Sequence, residues 1–143
     1  MHCMKQANVE WQHGQPISTD FDDVYFSKEG GLAETEYVFL QNNDLPGRWK
    51  NKNRFVVAET GFGTGLNFFA TVRHWLTTSE ETAHLYYYSI EKYPLTPTDL
   101  KKALSEFPQF KAYIDEVLIY YPLPINGFRG FRRLRIRHRR CCL

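Results

Sequence analysis

The sequence predicts an α/β fold: an incomplete doubly wound sheet preceded by a short β-rich N-terminal segment. Two apolar runs with strand character, FVVAET (55–60) and HLYYYSIE (84–91), flank a glycine-rich turn and a stretch of helical periodicity. A strand, a glycine turn, a helix and a second strand open a doubly wound parallel sheet. Only these two central strands are clear, with a third suggested near 117–121, so the predicted sheet is small for this fold.

The N-terminal segment, 1–54, is predicted to be irregular with two short strands. DDVYFS (22–27) and TEYVFL (35–40) contain the aromatic and branched residues that strands favour, and the turn-forming KEGG separates them. The polar stretch NNDLPGRWKNKN (42–53) is predicted to be a loop that leads into the first central strand.

The segment 55–128 is predicted to form the α/β unit. FVVAET is short and branched, which favours a strand buried on both faces, and apolar residues from Leu66 to Leu76 then recur at helical spacing. TPTD (96–99) predicts the start of another helix, because it offers a threonine cap, a proline in the first position and a capping-box aspartate. Apolar residues between Phe110 and Val117 predict one more short helix.

Composition narrows the class of protein. The 143 residues suffice for one domain, and no apolar run is long enough for a membrane span. The three cysteines lie at the two ends of the chain, and the five histidines show no metal-ligand spacing with them. We therefore expect a reducing, cytoplasmic setting and no metal site.

The turn AETGFGTGLNF is the first candidate site. Glu59 precedes three alternating glycines, Gly61, Gly63 and Gly65, at the point where the first central strand meets its helix. Such glycines let a ligand lie against bare backbone beside the free amides of a helix N-terminus. A carboxylate here would attract the cationic amino-acid end of S-adenosylmethionine and repel a pyrophosphate.

Glu91, at the end of the next strand, is the second candidate, because one carboxylate can accept hydrogen bonds from both hydroxyls of a ribose. This position suits S-adenosylmethionine and NAD equally. The alternative is structural: the glycines would permit tight packing, and both carboxylates would be solvated strand ends.

Three blocks resemble a known family. DFDDVYFSKEGGLAETEYVFL, FVVAETGFGTGLNFF and SIEKYPLTPTDL are similar, in this order, to successive blocks of the methyltransferase domain of the MnmC family, from about Glu10 to Phe128. The resemblance implies a Rossmann-like methyltransferase fold that uses S-adenosylmethionine to methylate an aminomethyl-2-thiouridine at the tRNA wobble position. In the family, a C-terminal FAD-dependent oxidoreductase domain prepares that amine, and no part of it is recognisable here.

The resemblance also implies roles for individual residues around the cofactor. Glu91 would hold the ribose, Lys92 would lie beside the adenosine, and Tyr25 would be a lid over the cofactor or an ordinary core aromatic. The residues that would line the methionine end are Glu59, Gly61, Gly63, Gly65 and Asn67.

The implied reaction is a direct displacement, in which the amine nitrogen attacks the methyl carbon of the sulfonium. In the family a later DGFAP-type segment brings an acid beside the amine, and this chain contains no such segment. We therefore assign no catalytic residue and expect a truncated domain that is inactive alone, unless another polypeptide supplies the missing half. The alternatives are a non-enzymatic remnant with weak cofactor binding and a fragment of an NAD-binding oxidoreductase.

The last segment, RGFRRLRIRHRRCCL (129–143), departs from the family pattern. All sixteen acidic residues precede it, whereas seven of the eighteen basic residues, all of them arginine, lie within it. One interpretation is an arginine-rich arm that binds tRNA phosphates and is sensitive to salt. The interpretation that the composition favours is a shifted reading frame or a truncated gene, with a tail that is not family sequence.

Overall fold

The chain is described by a computed structural model over residues 5–27, 29–119 and 121, and over the strand backbone of 130–137. The described strands form two three-stranded sheets, one from the N-terminal segment and one from the central α/β unit. The protein thus has the predicted α/β class, with a partial Rossmann-like unit and a small antiparallel sheet that precedes it.

The N-terminal sheet contains β1 (Val9–Gln12), β2 (Gln15–Ser18) and β3 (Asp23–Val24), all antiparallel. The strand predicted at DDVYFS therefore shortens to the two residues of β3. The sheet is attached to the rest of the protein through Trp11, whose indole Nε1 donates to the Asp99 carboxylate at 3.3 Å. The Lys102 ammonium lies over the same indole ring, 4.0 Å from its centroid.

The prediction of a strand at TEYVFL is wrong. A short α-helix, α1 (Gly31–Glu34), continues into a π-helical segment over Thr35–Leu40. Thr35 and Leu40 are buried while Tyr37 is 61% exposed, so burial follows a helical period and not the alternation of a strand. Packing against the central unit overrides the strand propensity of these residues.

The predicted loop at 42–53 contains more structure than expected. Two short 3₁₀ helices, Gln41–Asn43 and Gly47–Trp49, occupy it. Trp49 is fully buried, packs edge-on against Trp75 and Phe55, and donates its indole N–H to the Thr78 hydroxyl at 3.0 Å. This one large side chain anchors a polar segment to the core.

The central unit begins with β4 (Arg54–Thr60), α2 (Leu66–Thr78) and β5 (His84–Glu91), as the sequence predicts. β4 and β5 are parallel, with Glu59 opposite Ser89 in the register. Parallel strands present their carboxyl ends at one edge of the sheet, so the glycine turn after β4 and the end of β5 become neighbours.

Two helices follow β5, and both confirm sequence predictions. α3 (Pro97–Leu104) begins after Thr96, whose hydroxyl accepts a hydrogen bond from the Asp99 amide at 3.0 Å. α4 (Lys111–Leu118) follows a 3₁₀ turn that starts at the helix-breaking Pro108. Their apolar faces join α2 in the core, where Phe110 packs against Phe69.

The expectation that FVVAET is buried on both faces is wrong. Val57 and Glu59 are buried on the face of β4 that carries α2, whereas Val56 is 47% exposed and Ala58 is also exposed. Ile90 of β5 is 48% exposed. The reason is that the helices pack on one face of this sheet, which restores the period-two burial of a half-covered strand.

The third strand of the central sheet differs from the prediction. Residues 111–118 form α4, so the suggested strand near 117–121 does not form over its described residues; Tyr120 lies outside them. Instead β6 (Gly130–Arg137) runs antiparallel to β5, with Arg137 opposite His84 and Gly130 opposite Glu91. Part of the arginine-rich tail is therefore a strand at the β5 edge.

One hydrophobic core connects these elements. Its largest fully buried side chains are Trp49, Trp75, Phe68, Phe69, Phe110, Leu85, Leu100 and Leu104. Among the described helices, none is both long and apolar enough to cross a membrane. The described residues also contain no cluster of three potential metal-binding side chains, and the three cysteines lie outside them.

Candidate cofactor-binding site

The glycine turn joins β4 to α2 in a conformation that most residues resist. Gly61, Gly63 and Gly65 all have positive φ angles, of 79°, 54° and 74°. A Cβ atom on Gly65 would meet the Phe62 ring at 2.8 Å, whereas one on Gly61 would meet nothing within 4 Å. The positive φ angle and the nearby Phe62 ring both disfavour a side chain at Gly65, and the backbone at Gly61 faces open space that a ligand can fill.

The N-terminus of α2 lies at the end of the glycine turn. The helix begins after Gly65 and has no side-chain cap, so amides in its first turn lack intrahelical partners. The partial positive charge at a helix N-terminus favours a carboxylate or phosphate. The turn therefore offers donors at the same place where Glu59 offers acceptors.

Glu59 is a buried carboxylate held by two side chains. It is 9% exposed; its Oε1 accepts from the Ser89 hydroxyl at 2.9 Å, and its Oε2 accepts from the Asn67 amide at 3.3 Å. Burial raises the pKa of Glu59, although the nearby polar side chains of Ser89, Tyr87 and Asn67 oppose the rise. A buried carboxylate of this kind gains from a cationic partner, because the cation compensates for lost hydration.

Glu91 is a half-buried carboxylate held by backbone amides. Its Oε2 accepts from the Gly63 amide at 2.9 Å, and its Oε1 accepts from the Tyr93 amide at 2.9 Å. The Gly61 amide donates to the Ile90 carbonyl at 2.7 Å, which also joins the turn to the end of β5. Glu91 therefore fixes the position of the glycine turn relative to β5.

The two carboxylates lie at the same turn. Glu59 contacts Asn67 in the first turn of α2, and Glu91 contacts Gly63 in the middle of the glycine turn. They are close enough that the negative charge of Glu91 contributes to the raised pKa of Glu59. The arrangement provides two acidic groups of different burial along a strip of open backbone.

Two further predicted site residues lie beside Glu91. The Tyr25 ring approaches Gly63 so closely that a Cβ there would be 3.6 Å from it, and burial followed by the charge of Glu91 raises the pKa of Tyr25. Lys92 is exposed, with its ammonium 4.9 Å from the centroid of the Tyr93 ring. Tyr25 lies against the glycine turn, whereas Lys92 is exposed to solvent directly after Glu91.

Sequence reasoning missed two residues around this turn. Ser89 contacts Glu59, and the parallel register that places it opposite Glu59 could have indicated it. Tyr121 is buried, its ring centroid lies 5.8 Å from that of Phe62, and the pKa of its hydroxyl is raised by burial and then by the charge of Glu91. No sequence signal connected Tyr121 with the turn, because its position depends on α4.

Comparison with known proteins identifies close relatives over most of the chain. Three of them share the name "tRNA 5-methylaminomethyl-2-thiouridine biosynthesis bifunctional protein MnmC". The protein of Aeromonas salmonicida is 46% identical over 130 residues, that of Marinobacter nauticus 48% over 131, and that of Pseudoalteromonas atlantica 49% over 131. Each match covers 87% of this chain and 20%, 21% and 19% of the relative, respectively.

The chain thus spans about one fifth of the length of the curated relatives it matches. No protein-family model matches the chain. Identity of this level over 87% of the chain agrees with the resemblance of its three motif blocks. The chain is therefore MnmC-like, similar to a part of these bifunctional tRNA biosynthesis proteins.

Proposed function

We propose that the chain is the cofactor-binding part of an S-adenosylmethionine-dependent methyltransferase that acts on tRNA in the cytoplasm. The substrate would be the aminomethyl-2-thiouridine of the wobble position, and the product 5-methylaminomethyl-2-thiouridine. The proposal is supported by the relatives, whose name contains that product, and by the arrangement of carboxylates at the glycine turn. When bound, S-adenosylmethionine supplies an electrophilic methyl group.

The observation that carries the proposal is the pair Glu59 and Glu91 on one glycine turn. In the proposed complex the ammonium of the methionine part would lie against Glu59, which is buried and has no cationic partner among the described residues. The methionine carboxylate would accept hydrogen bonds from the backbone amides at the start of α2. The ligand's ammonium would thus face the negative Glu59, and its carboxylate would face the partial positive charge of the α2 N-terminus.

Glu91 has acceptor capacity left for a ribose. Each carboxylate oxygen can accept two hydrogen bonds, and each oxygen of Glu91 accepts one from the backbone. One further hydrogen bond per oxygen corresponds to the two hydroxyls of a ribose. Tyr25, whose ring lies against Gly63, would cover the cofactor from the side of the N-terminal sheet.

Calorimetric titration tests the proposed cofactor. We expect the chain to bind S-adenosylmethionine and its demethylated product, S-adenosylhomocysteine, and to bind NAD much more weakly. A pyrophosphate beside Glu59 and Glu91 would be repelled. Preferential binding of NAD would reject the methyltransferase assignment in favour of an oxidoreductase fragment, and no binding of any of the three would favour a non-enzymatic remnant.

Transfer of labelled methyl to tRNA tests the activity. We expect none from this chain alone, because it contains no acid segment of the DGFAP type to receive the substrate amine.

Retention of tRNA by the full chain and by a chain without residues 129–143 tests the tail. Salt-sensitive retention that disappears with the deletion would support the arm, and unchanged retention would dismiss it.

A further inference from the structure

Ser89 is the residue that holds Glu59 in place from the neighbouring strand. It lies directly opposite Glu59 in the parallel register of β4 and β5, and its hydroxyl donates to Glu59 Oε1 at 2.9 Å. Ser89 is only 8% exposed. Its hydroxyl is therefore committed to the carboxylate and shielded from solvent.

The face of β5 around Ser89 is otherwise apolar or aromatic. Leu85 and Tyr87 precede it on the same buried face and are 0% and 2% exposed. The Tyr87 hydroxyl is buried near Glu59 but makes no hydrogen bond of ordinary geometry within the described residues, and burial raises its pKa. Burying a hydroxyl in such surroundings costs free energy unless it makes a hydrogen bond. The hydrogen bond to Glu59 therefore accounts for a serine at this position.

With Ser89 and Asn67 engaged, both oxygens of Glu59 are fixed. Ser89 holds Oε1 from β5, and Asn67 holds Oε2 from the first turn of α2. Each oxygen keeps one acceptor position. The two donors therefore decide where those positions point before any ligand arrives, and such pre-organisation favours binding.

We infer that Ser89 is a positioning residue for the cationic amino group of the ligand's amino-acid part. It does not touch the ligand; it orients the Glu59 carboxylate that does. This inference rests on the proposed function, since it assumes that Glu59 faces an ammonium group.

The hydrogen bond has a second consequence, on ionisation. Burial raises the pKa of Glu59, and donation from Ser89 is the largest of the influences that lower it. Loss of the Ser89 hydroxyl therefore raises the pKa of Glu59 further. The charged carboxylate is the form that attracts an ammonium. The pH above which the ligand binds tightly should therefore move upward when the Ser89 hydroxyl is lost.

The test compares S-adenosylhomocysteine with adenosine, which lacks the amino-acid part. We expect Ser89→Ala to weaken S-adenosylhomocysteine binding about tenfold, as for loss of a hydrogen bond to a charged group, and to change adenosine binding less than about twofold. The pH midpoint of S-adenosylhomocysteine affinity should move upward. Ser89→Cys, nearly equal in size and a weak donor, should show an intermediate loss and guards against a folding defect in Ser89→Ala.

The matched control is Ser105→Ala. The Ser105 hydroxyl donates to the Lys102 carbonyl at the exposed C-terminal end of α3 and makes no hydrogen bond to Glu59 or Glu91 among the described residues. This variant should leave both ligands and the pH midpoint unchanged. Equal weakening of adenosine and S-adenosylhomocysteine by both Ser89 variants would overturn the inference, because a general packing defect affects both ligands. Unchanged S-adenosylhomocysteine binding would overturn it as well.

Titration of the Glu59 carboxyl by ¹³C NMR in the ligand-free chain separates the two proposals. A higher midpoint in Ser89→Ala supports the orienting hydrogen bond, and an unchanged midpoint contradicts the inference even if the cofactor binds. If the unaltered chain binds neither S-adenosylhomocysteine nor adenosine, the proposed function fails, and with it the role toward a ligand.

Discussion

Glu59 and Glu91 stand near the ends of adjacent parallel strands, yet their surroundings differ in kind. Glu59 is buried and held by the side chains of Ser89 and Asn67, whereas Glu91 is half-buried and held by the backbone amides of Gly63 and Tyr93. The same kind of side chain is thereby suited to two tasks. A buried, side-chain-bound carboxylate responds to charge, and a backbone-bound one at the rim accepts hydroxyl groups.

The largest expected effect comes from neutralising Glu59. Glu59→Gln should weaken S-adenosylhomocysteine binding about 100-fold, since a buried charge pair is lost while the ligand ammonium is still desolvated. Adenosine binding should change little. Calorimetry with both ligands measures the difference, and Glu36→Gln, on the surface near His74, is the control. Equal affinities of Glu59→Gln and the unaltered chain would refute the ammonium contact.

Glu91→Ala should have a smaller effect that extends to both ligands. We expect about tenfold weaker binding of S-adenosylhomocysteine and of adenosine, because both contain the ribose. The Gly63 and Tyr93 amides also lose their acceptor, so the turn should loosen. A variant that weakens only S-adenosylhomocysteine would show that Glu91 does not contact the ribose, and the division of labour would be wrong.

The pH dependence of S-adenosylhomocysteine binding should include the titration of Glu59. Its pKa is raised, so below that pKa a bound ammonium must first displace a proton. Affinity for S-adenosylhomocysteine should therefore fall as the pH falls through the raised pKa of Glu59, by at most about tenfold per pH unit. Calorimetry across pH measures this, with adenosine as the reference ligand. A parallel fall for adenosine would assign the titration to another group.

The smallest expected effect is on stability. Because the folded-state pKa of Glu59 is raised, its contribution to stability is full below the ordinary glutamate pKa and is lost as pH rises through the raised value. The neutral amide introduced by Glu59→Gln resembles the protonated carboxyl, and the Asn67 amide can rotate to meet it. Glu59→Gln should thus melt a few degrees higher at neutral pH, with the gap closing on acidification.

Thermal unfolding followed by circular dichroism measures this gap, and Glu36→Gln, at a partly exposed carboxylate, again serves as the control. A lower melting temperature for Glu59→Gln at neutral pH would contradict the account, because it would mean that the charged carboxylate stabilises the ligand-free fold. A stable but poorly binding variant would show that the site retains a buried charge for function.

The sequence predicts the parts of this fold whose signals are local. β4, α2, β5 and the capped start of α3 follow from short apolar runs, the glycine turn and Thr96, because turn and cap chemistry act within a few residues. The helix at Thr35–Leu40 could not be predicted from local signals of this kind. Its residues prefer strands, and only packing against the central unit makes them helical.

The same limit applies to the site. The two acids and the glycines are visible in the sequence because motif spacing carries them, but Ser89 and Tyr121 become partners of the turn only through strand register and helix packing. The one-sided burial of β4 was missed for a related reason. A branched run looks alike whether one face or both are covered, and only the position of the helices distinguishes them.

The most direct test of the central claim is an NMR titration with S-adenosylhomocysteine that follows two signals, the Gly63 backbone amide and the Asn67 side-chain amide. The first donates to Glu91 and the second to Glu59. If both carboxylates hold one ligand, the two signals shift together and yield one dissociation constant. Movement of only one signal, or two different dissociation constants, would contradict a shared cofactor site.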